Sequence, residues 1–295
     1  MDRDKIIQLT AKIDVLPTLP AIVNQVLFVT ANPESSVQDL LAIIETDPSM
    51  TAKVLKMANS AFYSRTRKVA TLHQALITIG FDEVRNLVLS IAVFNNFSAL
   101  TKVRGFDPYE FWRHSFTAGI AAKMIAGGLH LQASDLFVAG LIHDIGKLAL
   151  LIASPDAYTK IMKMTGNCGL EHLAAEKHVL GINHAQIGSR LVNKWMFPDS
   201  LVVATGYHHE PGQANSQEVY PLVVHLSDCL SHTLALSQKD LAQPVFAEGC
   251  FSAETAGLAS QNGIDWHMET VKAYLIELKA LIEQQSSVLD TFLSM

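Results

Sequence analysis

Residues Ser36–Ser60 read SVQDLLAIIETDPSMTAKVLKMANS, and this stretch holds two complete helix starts. Ser36 followed by Asp39 is a capping box, in which the hydroxyl and the carboxylate satisfy backbone N–H groups at a helix N-terminus. Val37, Leu40, Leu41 and Ile44 then recur at helical spacing. Asp47–Pro48 opens the next helix: the carboxylate caps the exposed N–H groups, and proline sits where no N–H is needed. That helix carries Ala52, Val54, Leu55 and Met57 to about Asn59.

The same signals continue outward. Helices are expected from Leu72 to a stop at Gly80 and over Asp82–Phe94. Further along they are expected over Tyr109–Ala126, Ser134–Ile152, Leu170–Leu180, His184–Met196, Ser200–His209 and Val219–Ser231. Ala253–Gln261 and a long helix capped by Asp265, from Trp266 to about Leu293, close the series. Its apolar Val271, Tyr274, Leu275, Leu278 and Leu281 are expected to pack on its own domain. Alternating β-branched runs bounded by tight-turn residues are scarce, so the fold class is all-α. Thr101–Pro108, with Gly105 and Pro108, reads as a joint between two helical halves. The expected division is residues 1–103, 104–238 and a C-terminal extension 239–295. Gln213–Gln217 reads as a polar loop.

The 295 residues are 49% hydrophobic and 17% charged, which excludes disorder. Lys and Arg total 22 against 28 Asp and Glu, a formal charge of −6. A long nucleic acid is therefore not an expected partner, although a few local cations suffice for a small phosphorylated ligand. The most apolar stretches, Ser115–Ala126 and Leu136–Ala153, are interrupted by Lys123, His143, Asp144 and Lys147, so no membrane span is expected. The N-terminal MDRDKIIQLT has no signal-peptide core, and a cytoplasmic protein is expected. Cys168, Cys229 and Cys250 form no CxxC and are expected as small, buried or half-buried thiols.

Twelve histidines stand out. Glu110 and His114 share a helix face, and His143–Asp144 lies inside the apolar string LIHDIGKLAL. His184 opens a helix, His208–His209 precedes Glu210–Pro211, and Asp228 sits between Leu226 and Leu230. Each buried ring or carboxylate needs a partner, because an unsatisfied buried polar group costs about 1–3 kcal/mol. Any one of them alone reads as a satisfied core residue. Recurring on successive helices, they offer imidazole and carboxylate donors without thiolate, suited to iron, manganese, zinc or magnesium. His73, His130, His172, His178, His225, His232 and His267 are expected in structural roles. Arg113, Arg190 and Lys194 are expected on a solvated face.

His114, the doublet His143–Asp144 and Asp228 resemble the H…HD…D signature of the HD superfamily, and HDIGK is close to its HD-GYP branch. The first half resembles the HDOD domain of bacterial signalling proteins. That likeness rests on Leu16–Pro17–Thr18–Leu19–Pro20, Asp47–Pro48, the run Lys53–Tyr63, and Ala75–Gly80 with Val84 and Leu87. It spans about residues 13–235. The resemblance implies two divalent cations, with iron or manganese favoured and zinc or magnesium also suited. One would rest on His114, His143, Asp144 and Asp228, the other on Asp144, His184, His208 and His209. Glu110 matches a carboxylate used by some three-metal members. Such a pair activates water near neutral pH, with Asp144 and Lys147 in catalytic roles, Lys147 on phosphate. Two functions follow from the resemblance. One is a regulatory output module with a signalling protein as partner, the other a metal-dependent phosphohydrolase acting on a nucleotide or small phosphoester. Where the HD-GYP branch has its Gly-Tyr-Pro loop this chain has Gln213–Tyr220, QANSQEVY, so hydrolysis of cyclic di-GMP by that route is disfavoured.

Overall fold

The computed structural model describes residues 3–16, 18–60, 63, 68–97, 106–129, 131–165, 169–237, 241, 243–247 and 249–284. Among them the chain forms helices and no strand, an all-α fold. Cys168, His130 and most of the expected joint Thr101–Pro108 lie outside the described residues, as does the expected last helix beyond Gln284. The chain divides into two units, residues 17–99 with 280–295, and residues 1–16 with 100–279. This differs from the expected division in two ways. The first residues belong with the second half, and residues 239–279 are part of that unit and not an extension of it.

The first helix, α1 (Arg3–Asp14), joins that unit through charge as well as packing. Arg190 makes a two-pronged ion pair with Asp14, and Lys194 donates to the carbonyls of Asp14 and Leu16 at 2.6 and 2.9 Å. The helix C-terminus thus receives two cations, which its dipole favours.

The unit of residues 17–99 contains α2 (Ala21–Ala31), α3 (Val37–Glu45), α4 (Pro48–Ala58), α5 (Leu72–Ile79) and α6 (Phe81–Phe97). The capping box forms as expected: Ser36 Oγ accepts from Asp39 N, and Asp39 Oδ2 accepts from Ser36 N. Asp47 Oδ1 accepts from Ser49 N and Met50 N, which starts α4. Gly80 ends α5 with φ at +96°, a conformation that L side chains rarely adopt. Asn59, just past α4, clamps the chain ten residues on: its amide donates to Val69 O and its carbonyl accepts from Val69 N, both at 2.7 Å. Leu40, Ile44, Val54, Ala75 and Val84 are buried within the unit.

The larger unit continues with α7 (Pro108–Gly127), capped by Asp107, then α8 (Ala133–Ile142) and α9 (Ile145–Ala153). It goes on through α10 (Pro155–Thr165), α11 (Gly169–Leu180), α12 (His184–Lys194) and α13 (Asp199–Tyr207). After a 3-10 turn (Pro211–Gln217) come α14 (Val219–Leu236), α15 (Ala253–Gln261) and α16 (Met268–Gln284), whose residues up to Lys279 belong to this unit. The expected single helix Ser134–Ile152 breaks at His143–Asp144, where Asp144 leaves helical geometry with ψ at 8°. The break aims two adjacent polar side chains inward, which an unbroken helix would spread by about 100°. Against expectation, Ala133–Ala153 together is long and apolar enough to cross a membrane, but 89% of its most apolar window is buried inside the protein. It is the central element of a core.

α10 has no counterpart in the expected series, and Gln213–Gln217 is part of a helical turn where a loop is expected. α16 starts at Met268, two residues later than expected, and Asp265 accepts from the Thr270 hydroxyl instead of capping backbone. Its stripe Val271, Leu275 and Leu278 is buried. Cys229 and Cys250 are buried free thiols.

Candidate metal centre

Five helices and one helix break converge on Asp144. α7 brings His114, the α8–α9 break brings His143 and Asp144, and α9 brings Lys147 one turn later. α12 presents His184 as its first residue, α13 ends at His208–His209, and α14 contributes Asp228. His143, Asp144, His184 and His208 lie at helix termini, where the backbone departs from the helical path and neighbouring side chains can point to one place.

The histidines are pre-oriented by their far ring nitrogens. His143 Nδ1 donates to Gly140 O at 2.7 Å and His208 Nδ1 donates to Thr205 O at 2.8 Å, each three residues back. His184 Nδ1 and its backbone N–H both donate to Glu176 Oε2 at 2.7 Å. His114 Nδ1 meets the Ser231 hydroxyl at 3.0 Å. In each ring Nδ1 is occupied, which leaves Nε2 as the atom offered to the centre. Metal-binding histidines are held this way, with tautomer and ring plane fixed by an outer acceptor.

The two oxygens of Asp144 face two different sets of rings. Oδ1 lies 3.1 Å from His184 Nε2 and 3.9 Å from His208 Nε2, and His209 Nε2 is 2.9 Å from His184 Nε2. Oδ2 lies 3.4 Å from His143 Nε2 and 3.8 Å from His114 Nε2. Asp228 Oδ1 closes the second set, at 3.1 Å from His114 Nε2 and 3.6 Å from His143 Nε2. Asp144, His184, His208 and His209 therefore form one four-residue donor group, and His114, His143 and Asp144 another.

Despite these short separations, His114 Nε2, His143 Nε2, His208 Nε2, Asp144 Oδ1 and Asp228 Oδ1 are buried and make no hydrogen bond among the described residues. Their directions miss one another. At about 1–3 kcal/mol for each unsatisfied group, such a cluster is untenable as plain core. Its chemistry fits divalent cation binding: N and O atoms bound at about 2.1 Å at right angles lie about 3 Å apart.

The charges agree. Burial works against ionisation of Asp144, but Lys147 and His143 outweigh it and hold the carboxyl well below its usual range. Burial also opposes the charge on Asp228, and the facing His232, His114 and His143 prevail in the same direction. Burial lowers His143, yet Asp144 and Asp228 raise it to about 10. His208 and His209 are pushed far down, by burial first and then by the neighbouring rings. Lys147 Nζ donates to Asp144 Oδ2 at 2.5 Å and is partly exposed, so it stands at the edge of the centre.

One expected ligand does not belong. Glu110 is half exposed on the surface of α7, with its carboxylate held in a two-pronged pair by Arg113. The first turn of α7 lies outside the core, so sharing a face with His114 does not bring Glu110 inward. Arg113, Arg190 and Lys194 sit at the surface in ion pairs or backbone contacts.

Three further residues adjoin the centre. Glu176 is fully buried on α11, and His184 and His172 draw its carboxyl down to about 2 against the effect of burial. His172 in turn meets the Tyr158 hydroxyl at 3.0 Å. His232 lies 3.3 Å from Asp228 Oδ1. Spacing could have found His232, four residues after Asp228 on one helix. Glu176 offers no such local signal, because its link to His184 depends on how α11 packs. Replacing Glu176 by Gln should keep the shape but remove the charge that polarises His184, lowering metal affinity about 10–100-fold. Titration of the metal-free variant with manganese checks this, and wild-type affinity would refute the role.

The HDOD domain model matches residues 16–211, two thirds of the chain. The chain belongs to the HDOD family. This HDOD protein is 23% identical over 214 residues to an uncharacterized protein of Treponema pallidum, covering 72% of this chain but only 41% of that relative. Among solved structures it is similar to a proposed phosphohydrolase from Shewanella amazonensis SB2B, with 25% identity and a TM-score of 0.75. That match covers 97% of this chain and 98% of the other. It also matches an HDOD domain protein of unknown function from Geobacter sulfurreducens at TM-score 0.76 and 22% identity, covering 98% and 97% of the two chains. The HDOD protein thus carries the helical fold of the HD superfamily.

Proposed function

We propose that this HDOD protein is a signalling output protein whose larger unit holds two divalent cations and hydrolyses a small phosphoester. The observation that carries the reading is the set of buried, unbonded donor atoms on both sides of Asp144. His114, His143, Asp144 and Asp228 would hold one cation, and Asp144, His184, His208 and His209 the other. Iron or manganese suits a set of imidazoles and carboxylates without thiolate. Bound there, the cations supply Lewis acidity toward a phosphoryl group and a nucleophile drawn from water.

The chain's own groups provide the rest. Asp144 presents an oxygen to each set, and Lys147 carries a fixed positive charge beside it, raised above its ordinary pKa by Asp144 and Asp228 against the effect of burial. Partly exposed, Lys147 can turn from Asp144 toward a phosphate oxygen without leaving its helix. The outer acceptors Gly140, Thr205 and Glu176 keep the rings from reorienting.

A second reading, a regulatory module that binds metal without turnover, is favoured by the Pro211–Gln217 turn. It occupies the place after His208–His209 where the HD-GYP branch frames a cyclic dinucleotide. Elemental analysis after anaerobic purification, followed by assay on p-nitrophenyl and bis-p-nitrophenyl phosphate, separates the two. Two metals per chain with turnover supports hydrolysis, two metals without turnover supports the regulatory module, and no metal refutes both. If hydrolysis is found, Lys147→Ala should lower kcat about 100-fold, within the 100–1,000-fold lost with one charge-stabilising donor. Its metal content should be unchanged, and loss of metal would overturn the phosphate role.

A further inference from the structure

The set around Asp228 has one more ring than the HD signature supplies. His232, one turn further along α14, places Nε2 at 3.3 Å from Asp228 Oδ1, beside His114 at 3.1 Å and His143 at 3.6 Å. Its ring lies against that of His114, with centroids 4.4 Å apart. A histidine four residues from an aspartate on a helix ordinarily donates to it. Here Asp228 Oδ1, though buried, accepts no hydrogen bond from His114, His143 or His232. Three nitrogens crowd one carboxylate oxygen at the spacing of neighbouring donors around a single cation, about 3 Å. Glu110, matched only to a carboxylate of some three-metal members, is turned outward and held by Arg113.

We propose that His232 is a fifth protein donor to the cation held by His114, His143, Asp144 and Asp228. The inference rests on the two-cation reading and goes beyond it, because it makes the two positions unequal. The Asp228 side has five protein donors and the His209 side four. The cation on the Asp228 side is then the last removed by a chelator, and the other is the one that exchanges.

Cobalt(II) titration of the metal-free chain tests this, with the visible spectrum and chelator competition as readouts. Wild type should bind two ions in two affinity steps. His232→Ala should weaken the tighter step at least 10–100-fold, the loss typical even of an outer partner, and change the spectrum of that ion. Millimolar imidazole should restore much of the loss. His232→Gln, which keeps side-chain bulk, should lose affinity as well, and circular dichroism of both metal-free variants checks the fold. Two ions bound by His232→Ala with wild-type affinity and spectrum would overturn the donor role and leave the two-cation reading intact. Three ions in wild type and two in His232→Ala would overturn it in favour of a separate site. No cobalt in wild type would overturn both readings.

Discussion

Asp144→Ala is expected to release both cations at once, whereas His209→Ala should release one. The two oxygens of Asp144 address different ring sets, Oδ1 toward His184 and His208 and Oδ2 toward His143 and His114. Among the described residues, no other side chain belongs to both donor groups. The substitution also harms the metal-free protein, because Lys147 and His143 lose the carboxylate between them. Removing one partner of a buried pair costs about 3–5 kcal/mol. The lower end applies, since Lys147 can reach water and His143 can give up its proton. For a domain of this size that is a fall in Tm of about 6–12 °C. Elemental analysis and thermal denaturation measure the two effects, and one cation retained by Asp144→Ala would refute a shared carboxylate.

The second large effect is expected where no polar atom is touched. At Gly146, α9 crosses α12 so closely that a Cβ would stand 1.9 Å from His184 O and 2.7 Å from Gly188 N. Both obstacles are backbone and cannot move aside by a rotamer change. Gly146→Ala must push α12 away, and His184, the first residue of α12, moves with it. Forced overpacking usually costs about 1–3 kcal/mol, and a backbone clash this short belongs at or above the top of that range. The expected result is a Tm lowered by about 10 °C and loss of the cation bound through His184. Gly257→Ala is the control: nothing lies within 4 Å of its Cβ in the middle of α15, so it should gain up to about 1 kcal/mol. A Gly146→Ala protein as stable as wild type and fully metal-loaded would contradict the close crossing.

Much of the centre is readable along the chain because its side chains are rare residue types in improbable places. A histidine and an aspartate side by side within Leu141–Leu151, or an aspartate between Leu226 and Leu230, conflict with their apolar surroundings unless something satisfies them. The structure brings His114, His143, Asp144, His184, His208, His209 and Asp228 together. Glu110 misleads because helix periodicity assigns a face, and the face of a terminal turn need not reach the core. The nearness of His232 to Asp228 is overlooked for the converse reason, since a histidine one turn beyond an aspartate reads as ordinary helix polarity.

Local interactions determined the all-α class, the capped starts of α3 and α4 and the stop at Gly80, because each depends on atoms within four residues. The broken helix at His143–Asp144 and the clasp of Glu176 on His184 were decided only by tertiary structure. So were the outward turn of Glu110 and the placing of α1 with the larger unit. Each depends on which helices pack together. That choice is set by close approaches such as Gly146 against His184, summed over a core that no single segment contains.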